Sequence, residues 1–316
     1  MSQSLPKVTV VGGGFVGATT AQRLVEKNIA HTVLIDIAEG MPQGKALDIM
    51  ESASIEGFDA TITGTNDYKD TAGSDLVIIT AGLARKPGMS RDDLLLKNAE
   101  IVSGIIDQIT AHSKNPILLI VTNPLDVMTY LAWKRSGFDA KRVIGMAGVL
   151  DSARYNAFIS MELGVSQKDV RAMVLGGHGD SMVPVPSHST VNGIPITELI
   201  SKERIEAINQ RTRDGGAEIV KLLKTGSAYY APSASAVAMA EAILRDTGRV
   251  LPCCVLLNGE YGIKGIFGGV PVRLGAEGVK QILEVKLTSE EHEALKKSCK
   301  DVEENVAKLP QEILKK

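Results

Sequence analysis

Short runs of apolar, largely β-branched residues recur through the first half of the chain, at 8–11, 32–35, 76–80 and 117–121. Such runs suit strands covered on both faces, as in a parallel sheet, because a strand with one wet face alternates instead. Between them the spacing predicts helices over 16–28, 44–53, 92–110 and 127–136, each following a Gly, Asp or Pro signal. The repeated β-α-β order implies a doubly wound parallel sheet. Past about residue 147 the pattern becomes mixed: short hairpin-like strands around 172–175 and 190–194, long helices near 203–224 and 232–247, and glycine-broken strands over 251–257 and 265–274. A last helix opens on Thr288-Ser-Glu-Glu291, which reads as a capping box. The expected fold class is therefore α/β, with a doubly wound parallel-sheet domain over 1–147 and a mixed α+β domain over 148–316.

Composition narrows the function classes. With 316 residues, 44% hydrophobic and 23% charged, the chain can bury one or two sizeable cores, which excludes disordered and fibrous classes. A net charge of −2 and a pI near 6.3 supply no field for polyanions, so no nucleic-acid partner is expected. Cys253, Cys254 and Cys299 are odd in number, a poor basis for a disulfide framework that fits a reducing compartment, and the adjacent Cys253 and Cys254 within an apolar run read as small core residues. No Cys/His spacing suggests a metal. The N-terminus has no secretory or amphipathic presequence pattern and no apolar run reaches the roughly 18–20 residues of a membrane span, so a cytoplasmic protein without a membrane partner is expected.

Gly12, Gly14 and Gly17 stand in G-x-G-x-x-G spacing directly after the first predicted strand and at the start of a helix. The first glycine permits the turn, the second lets backbone approach a pyrophosphate, and the third allows close helix-strand packing, while helix N–H groups meet the anion. Asp36 ends the second strand about 20 residues on, where a carboxylate accepts from both ribose hydroxyls and repels a 2′-phosphate, favouring NAD over NADP. This half is accordingly expected to be a Rossmann domain.

The chemistry gathers in three later segments. Asp151 and Arg154 lie three apart and share a face on a helix, and Gly176-Gly-His-Gly-Asp180 presents His178 in a glycine-rich turn. Arg85 and Arg91 lie on the loop after the strand over 76–80, where loops at the carboxyl ends of parallel strands line the ligand crevice. One acid-base group with three guanidiniums suits a small dianion better than a monocarboxylate.

In this combination the glycine fingerprint, the 83–92 loop, Val121-Thr-Asn-Pro124, Asp151-Ser-Ala-Arg154 and Gly176-Gly-His-Gly-Asp-Ser-Met-Val-Pro184 resemble the lactate/malate dehydrogenases over essentially the whole chain. The resemblance implies that His178 donates and accepts the proton, that Asp151 fixes its tautomer and steadies the imidazolium, and that Arg154 grips a substrate carboxylate. It implies that Arg91 polarises the carbonyl from a mobile loop and that Asn123 contacts the substrate oxygen. It assigns NAD to Gly12, Gly13, Gly14, Phe15, Val16, Gly17, Asp36, Asn98, Val121, Thr122 and Asn123, with Asn98 resting on resemblance alone. Arg85 matches the family position that selects the substrate, arginine for malate and typically glutamine for lactate. Opposite the methyl group of pyruvate this guanidinium would be unpaired, which can discriminate about 10⁴-fold. Gly177, Met182 and Pro184 also fit the malate pattern, and Ala228 stands where lactate enzymes carry a bulkier threonine. A homodimer or homotetramer is expected on resemblance, with the helix after the fingerprint and that near 203–224 as candidate contacts.

Three rivals remain at this stage. A lactate or other 2-hydroxyacid dehydrogenase would differ at Arg85. An NAD-dependent glycosidase shares a similar nucleotide half but calls for Cys and His metal ligands, which the spacing here lacks. A catalytically silent NAD-binding protein would tolerate loss of His178. The other histidines, His31, His112, His188 and His292, lack an acid-and-arginine context and receive no role.

Overall fold

In the computed structural model, which describes residues 5–83 and 88–315, the first half builds six parallel strands. These are β1 (Lys7–Val11), β2 (His31–Ile35), β3 (Ile62–Thr65), β4 (Leu76–Ile79), β5 (Ile117–Ile120) and β6 (Val143–Gly145), lying in the order β3-β2-β1-β4-β5-β6. Helices α1 (Phe15–Glu26), α2 (Met41–Glu51), α3 (Ala53–Glu56), α4 (Arg91–His112) and α5 (Leu125–Ser136) connect them. Because side chains alternate along a strand, both faces must be apolar when helices cover both. Val10, Leu34 and Ile78 accordingly pack with Leu24 of α1 on one face, while Val11, Ile35, Val77 and Ile79 pack with Val102 and Ile106 of α4 and Met128 of α5 on the other.

The second half contributes α6 (Gly148–Leu163), β7 (Val170–Arg171), β8 (Val174–Leu175), β9 (Val183–Pro184), β10 (Thr190–Val191), β11 (Ile194–Pro195) and α7 (Ile196–Leu199). Then follow α8 (Lys202–Leu223), α9 (Tyr230–Leu244), β12 (Val250–Asn258), β13 (Lys264–Gly275), β14 (Gly278–Ile282), α10 (Ser289–Val306) and α11 (Gln311–Leu314). The strands β12, β13 and β14 join the parallel sheet at its β6 edge in antiparallel sense, through Cys254 opposite Gly145. Among the described residues the sheet thus runs β14-β13-β12-β6-β5-β4-β1-β2-β3. Cys253 and Cys254 are buried beside this seam, as their apolar setting implies, and Cys299 of α10 is buried as well.

Several elements differ from expectation for local reasons. β3 and β6 escaped sequence reading because Ile-Thr-Gly-Thr and Val-Ile-Gly are too short and too glycine-rich to show a period, and only pairing with β2 and β5 defines them. The helix expected over 44–53 begins at Met41, after Gly40 in the left-handed region and with Pro42 in its first turn. The strands expected around 172–175 and 190–194 resolve into two-residue ladders, β8 with β9 for the first and β10 with β7 and β11 for the second. Thr288 caps α10 as its motif predicts, its hydroxyl accepting the Glu291 N–H at 3.2 Å while the Glu291 carboxylate accepts the Thr288 N–H at 2.9 Å.

Candidate active site

A cavity of about 560 Å³ opens at the carboxyl ends of the parallel strands, between the β1–α1 turn and helices α6 and α8. Its first wall is the glycine turn. Gly12 has φ +104° and its amide donates to Ile35 O at 2.8 Å, so the chain reverses directly out of β1. A Cβ on Gly17 would lie 1.8 Å from the Gly12 carbonyl oxygen, whereas a Cβ on Gly14 would meet nothing within 4 Å. Close packing fixes Gly17; the open side of Gly14 faces the cavity. Among the described residues no side chain caps α1, so its first-turn N–H groups remain available to an anion at the positive end of the helix.

Of the other predicted nucleotide contacts some line this wall, while Gly12, Gly13, Asp36 and Asn98 lie behind it. Gly14, Phe15, Val16 and Gly17 line the cavity, as do Val121, Thr122 and Asn123 on the β5–α5 loop. Asp36 ends β2 beside the turn, its Oδ2 accepting the Gly13 N–H at 2.6 Å and its Oδ1 the Ala38 N–H at 2.9 Å. The Asn98 side chain is buried and joins two loops: Nδ2 donates to Leu83 O at 3.1 Å and Asn123 O at 2.7 Å, and Oδ1 accepts from Leu83 N at 2.7 Å. Asn98 therefore shapes the cavity through the backbone of Leu83 and Asn123. The uncapped helix, the open Gly14 and the strand-end carboxylate together fit a dinucleotide.

The opposite wall carries the groups suited to acid-base chemistry. Asp151 and Arg154 lie one turn apart on α6, as their spacing predicts, and both side chains are largely buried. Asp151 Oδ2 is 2.8 Å from His178 Nδ1, and its Oδ1 accepts from Arg154 Nη1 at 3.2 Å. An ionised carboxylate can only accept, so Nδ1 carries its hydrogen and Nε2 is the atom free to exchange a proton with a ligand. Burial works against the charged imidazole and Arg154 repels it, but the charge and hydrogen bond of Asp151, with the charge of Asp126, prevail and raise the His178 pKa above its ordinary value. The Arg154 Nε is buried with no hydrogen-bond partner among the described residues. A buried guanidinium with an unused donor on a cavity wall has the chemistry to accept a carboxylate.

The loop arginines are placed differently. Arg85, with Lys86 and Pro87, lies outside the described residues. Arg91 is the first residue of α4, behind a Ser90 capping box, and its Nη2 meets Asp180 at 2.6 Å in an exposed ion pair beside the His178 turn. Ala228 and Met182 line the cavity. Sequence reading missed Arg213 of α8, which also lines it, with Nη1 3.3 Å from Glu206. It also missed Asp126 of α5, whose Oδ2 accepts the His178 backbone N–H at 2.8 Å. Arg213 sits on a charge-rich amphipathic helix that gives no sign of which arginine turns inward. Asp126, two residues after the cis Asn123–Pro124 bond, carried a weak signal as an acid in an apolar run.

Comparison with known proteins agrees with this geometry. Residues 6–145 match the lactate/malate dehydrogenase NAD binding domain, and residues 148–313 match the lactate/malate dehydrogenase alpha/beta C-terminal domain. The malate dehydrogenase of Chlorobium limicola is 60% identical over 304 residues, covering 96% of this chain and 98% of that protein. The malate dehydrogenase structure from Salinibacter ruber superposes with a TM-score of 0.92 at 52% identity, covering 96% of this chain and 97% of that one. The lactate dehydrogenase of Cryptosporidium parvum, solved with lactic acid and β-nicotinamide adenine dinucleotide, gives 0.94 at 43% identity over 98% of this chain and 100% of that one. The glycine turn, the Asp151–His178 pair and both domain matches thus lead to one statement: the chain belongs to the lactate/malate dehydrogenase family.

Proposed function

We propose that this chain catalyses the reversible, NAD-dependent oxidation of L-malate to oxaloacetate, with His178 as the acid-base group. The observation that carries the reading is the Arg154–Asp151–His178 chain, with contacts of 3.2 and 2.8 Å, set across one cavity from the open Gly14 turn. In this reading residues 1–147 hold the dinucleotide and 148–316 carry the proton chemistry. Bound NAD supplies the hydride acceptor. The Arg154 fork holds a substrate carboxylate, Asn123 contacts the substrate oxygen, and His178 Nε2 accepts the hydroxyl proton as hydride leaves carbon. The reverse reaction returns that proton from the imidazolium, which Asp151 stabilises throughout. Arg91, released from Asp180, reaches the carbonyl from the first turn of α4 as water is excluded.

Substrate choice is assigned to Arg85, since relatives named for malate and for lactate share this fold. NADH oxidation measured side by side with oxaloacetate and pyruvate, with NADPH as control, tests this. Oxaloacetate with NADH is the expected preference. Arg85→Gln is expected to depress oxaloacetate turnover by about 10²-fold or more while pyruvate turnover rises. Undiminished oxaloacetate activity in that variant would remove Arg85 from the specificity argument.

A homodimer or homotetramer also belongs to this proposal. Val220, Leu222 and Leu223 at the end of α8 are exposed, as are Leu47 and Ile55 on α2 and α3, and apolar side chains in groups on a surface are commonly covered by a partner. Light scattering should return two or four times the 33.6 kDa chain mass; a monomer at micromolar concentration would refute it. Among the described residues no helix is long and apolar enough to cross a membrane, and the buried free thiols suit the reducing cytoplasm.

A further inference from the structure

The pairing of His178 with Asp151 leaves a second buried carboxylate without a part in the reaction. Asp126, in the first turn of α5, is 4% exposed, and its Oδ2 accepts the backbone N–H of His178 at 2.8 Å. Its Oδ1 has no hydrogen-bond partner among the described residues. Cys254 of β12 lies beside this carboxylate, so Asp126 sits where the antiparallel strands join the parallel sheet. Gly145 makes the approach possible: a Cβ there would lie 2.9 Å from Cys254 Cβ and 2.6 Å from Thr129 Oγ1.

Holding the loop does not by itself require a charge at this place. The Gly176 amide and carbonyl already pair with Gly269 at 2.8 and 3.0 Å, and the Gly177 N–H donates to Ser298 Oγ at 2.8 Å. An asparagine oxygen would accept the His178 N–H as well, without the desolvation cost of a buried anion. The charge finds a use in the one group nearby whose charge changes during turnover, the imidazole. We propose that Asp126 is a positioning residue for the acid-base step: it fixes the main chain of His178, and its charge joins that of Asp151 in stabilising the protonated ring. This rests on the reading of His178 as the acid-base group.

The charged surroundings are specific. Asp151 and Arg154 from α6 and Asp126 from α5 act on the imidazole, with Asp180 on its own loop and Arg213 from α8 on the same cavity wall. Cys254 from β12 acts on Asp126, together with His178 itself, and Asp126 in turn acts on Cys299 of α10. Burial holds the Asp126 carboxyl above its ordinary value, and neighbouring Cys254 with the charge of His178 offsets that only in part. Ionisation of Asp126 and protonation of His178 therefore favour each other, by linkage.

The alkaline limb of kcat/KM for oxaloacetate reduction reads this coupling, because reduction needs the imidazolium and is lost as pH rises through the His178 pKa. Asp126→Asn keeps the acceptor and removes the charge. The limb should move toward acid by about one pH unit, a roughly tenfold loss of reduction at a fixed pH on that limb, with NADH affinity unchanged. A limb superimposed on that of the unsubstituted enzyme would reduce Asp126 to an anchor and overturn the proposal. Should the variant fail to fold, carbon NMR of the unsubstituted enzyme carrying carboxyl-labelled aspartate decides. An Asp126 carboxylate ionised throughout the His178 titration supports the coupling, and a neutral acid there overturns it. His178→Asn separates the two levels of inference: if it keeps full turnover, the acid-base reading itself fails, whereas an inactive His178→Asn beside an unmoved Asp126→Asn limb removes only the role of Asp126.

Discussion

His178→Asn is expected to lower turnover in both directions by about 10²- to 10⁴-fold while leaving NADH binding intact, as read by the fluorescence of the bound dinucleotide. Asparagine can still donate toward Asp151, which lies 2.8 Å from Nδ1 in the present protein, but it offers nothing that exchanges a proton at the position of Nε2. Loss of the hydride must be matched by loss of the hydroxyl proton, so the step stalls with the cavity wall otherwise unchanged. The pH dependence of the unsubstituted enzyme follows from the same site. The His178 pKa is raised: burial lowers it, and Asp151 more than offsets that. Oxidation needs the neutral ring and should fall as pH drops through this raised value; reduction needs the charged ring and should fall as pH rises through it. Stability has the same sign as reduction. The protonated pair contributes fully below the ordinary histidine range and its contribution is lost as pH rises through the raised pKa. Equal turnover by His178→Asn, or limbs of the same sense in both directions, would contradict the assignment.

Arg154→Leu should cost about 10²- to 10³-fold in kcat/KM for oxaloacetate, because a substrate carboxylate would enter a buried wall with no counter-charge. The guanidinium is 13% exposed, reaches Asp151 at 3.2 Å through one nitrogen, and leaves its Nε without a partner among the described residues. Gly215 and Gly216 of α8 make room for it, since a Cβ on Gly215 would lie 3.2 Å from Arg154 Cδ and one on Gly216 3.6 Å from Nη2. Lysine should rescue little, since a single ammonium cannot reproduce the planar fork. A second consequence identifies the residue by more than lost binding. Arg154 disfavours the charged form of His178, so its removal should move the alkaline limb of reduction toward higher pH, opposite in sense to Asp126→Asn. An unchanged KM and an unmoved limb would show that Arg154 only braces α6.

Much of the site was legible before any coordinates. The i, i+3 spacing of Asp151 and Arg154 placed them on one helical face, and the glycine triplet after an apolar run located the β1–α1 turn. Those signals are local: spacing, turn chemistry and helix period act over a few residues and survive in the sequence. Arg213 and Asp126 were not legible, because each acquires its role only by contact with a partner distant in the chain. Asp126 meets the His178 backbone across 52 positions. Asn98 was named from family resemblance, and its amide reaches the cavity through the backbone of Leu83 and Asn123.

The same division runs through the fold. Continuous β-branched runs determined that β1, β2, β4 and β5 would be covered on both faces, since an apolar residue at every position leaves no face for water. The capping box of α10 and the core setting of Cys253 and Cys254 followed equally from local chemistry. Only the tertiary structure decided that β12, β13 and β14 extend the first sheet instead of forming one of their own, because the join rests on Cys254 facing Gly145, where the absence of a Cβ lets two distant strands pair. Only it decided that α6 and the His178 turn meet the dinucleotide turn across one cavity, since packing forces between segments far apart in sequence set that distance, and no spacing along the chain records it.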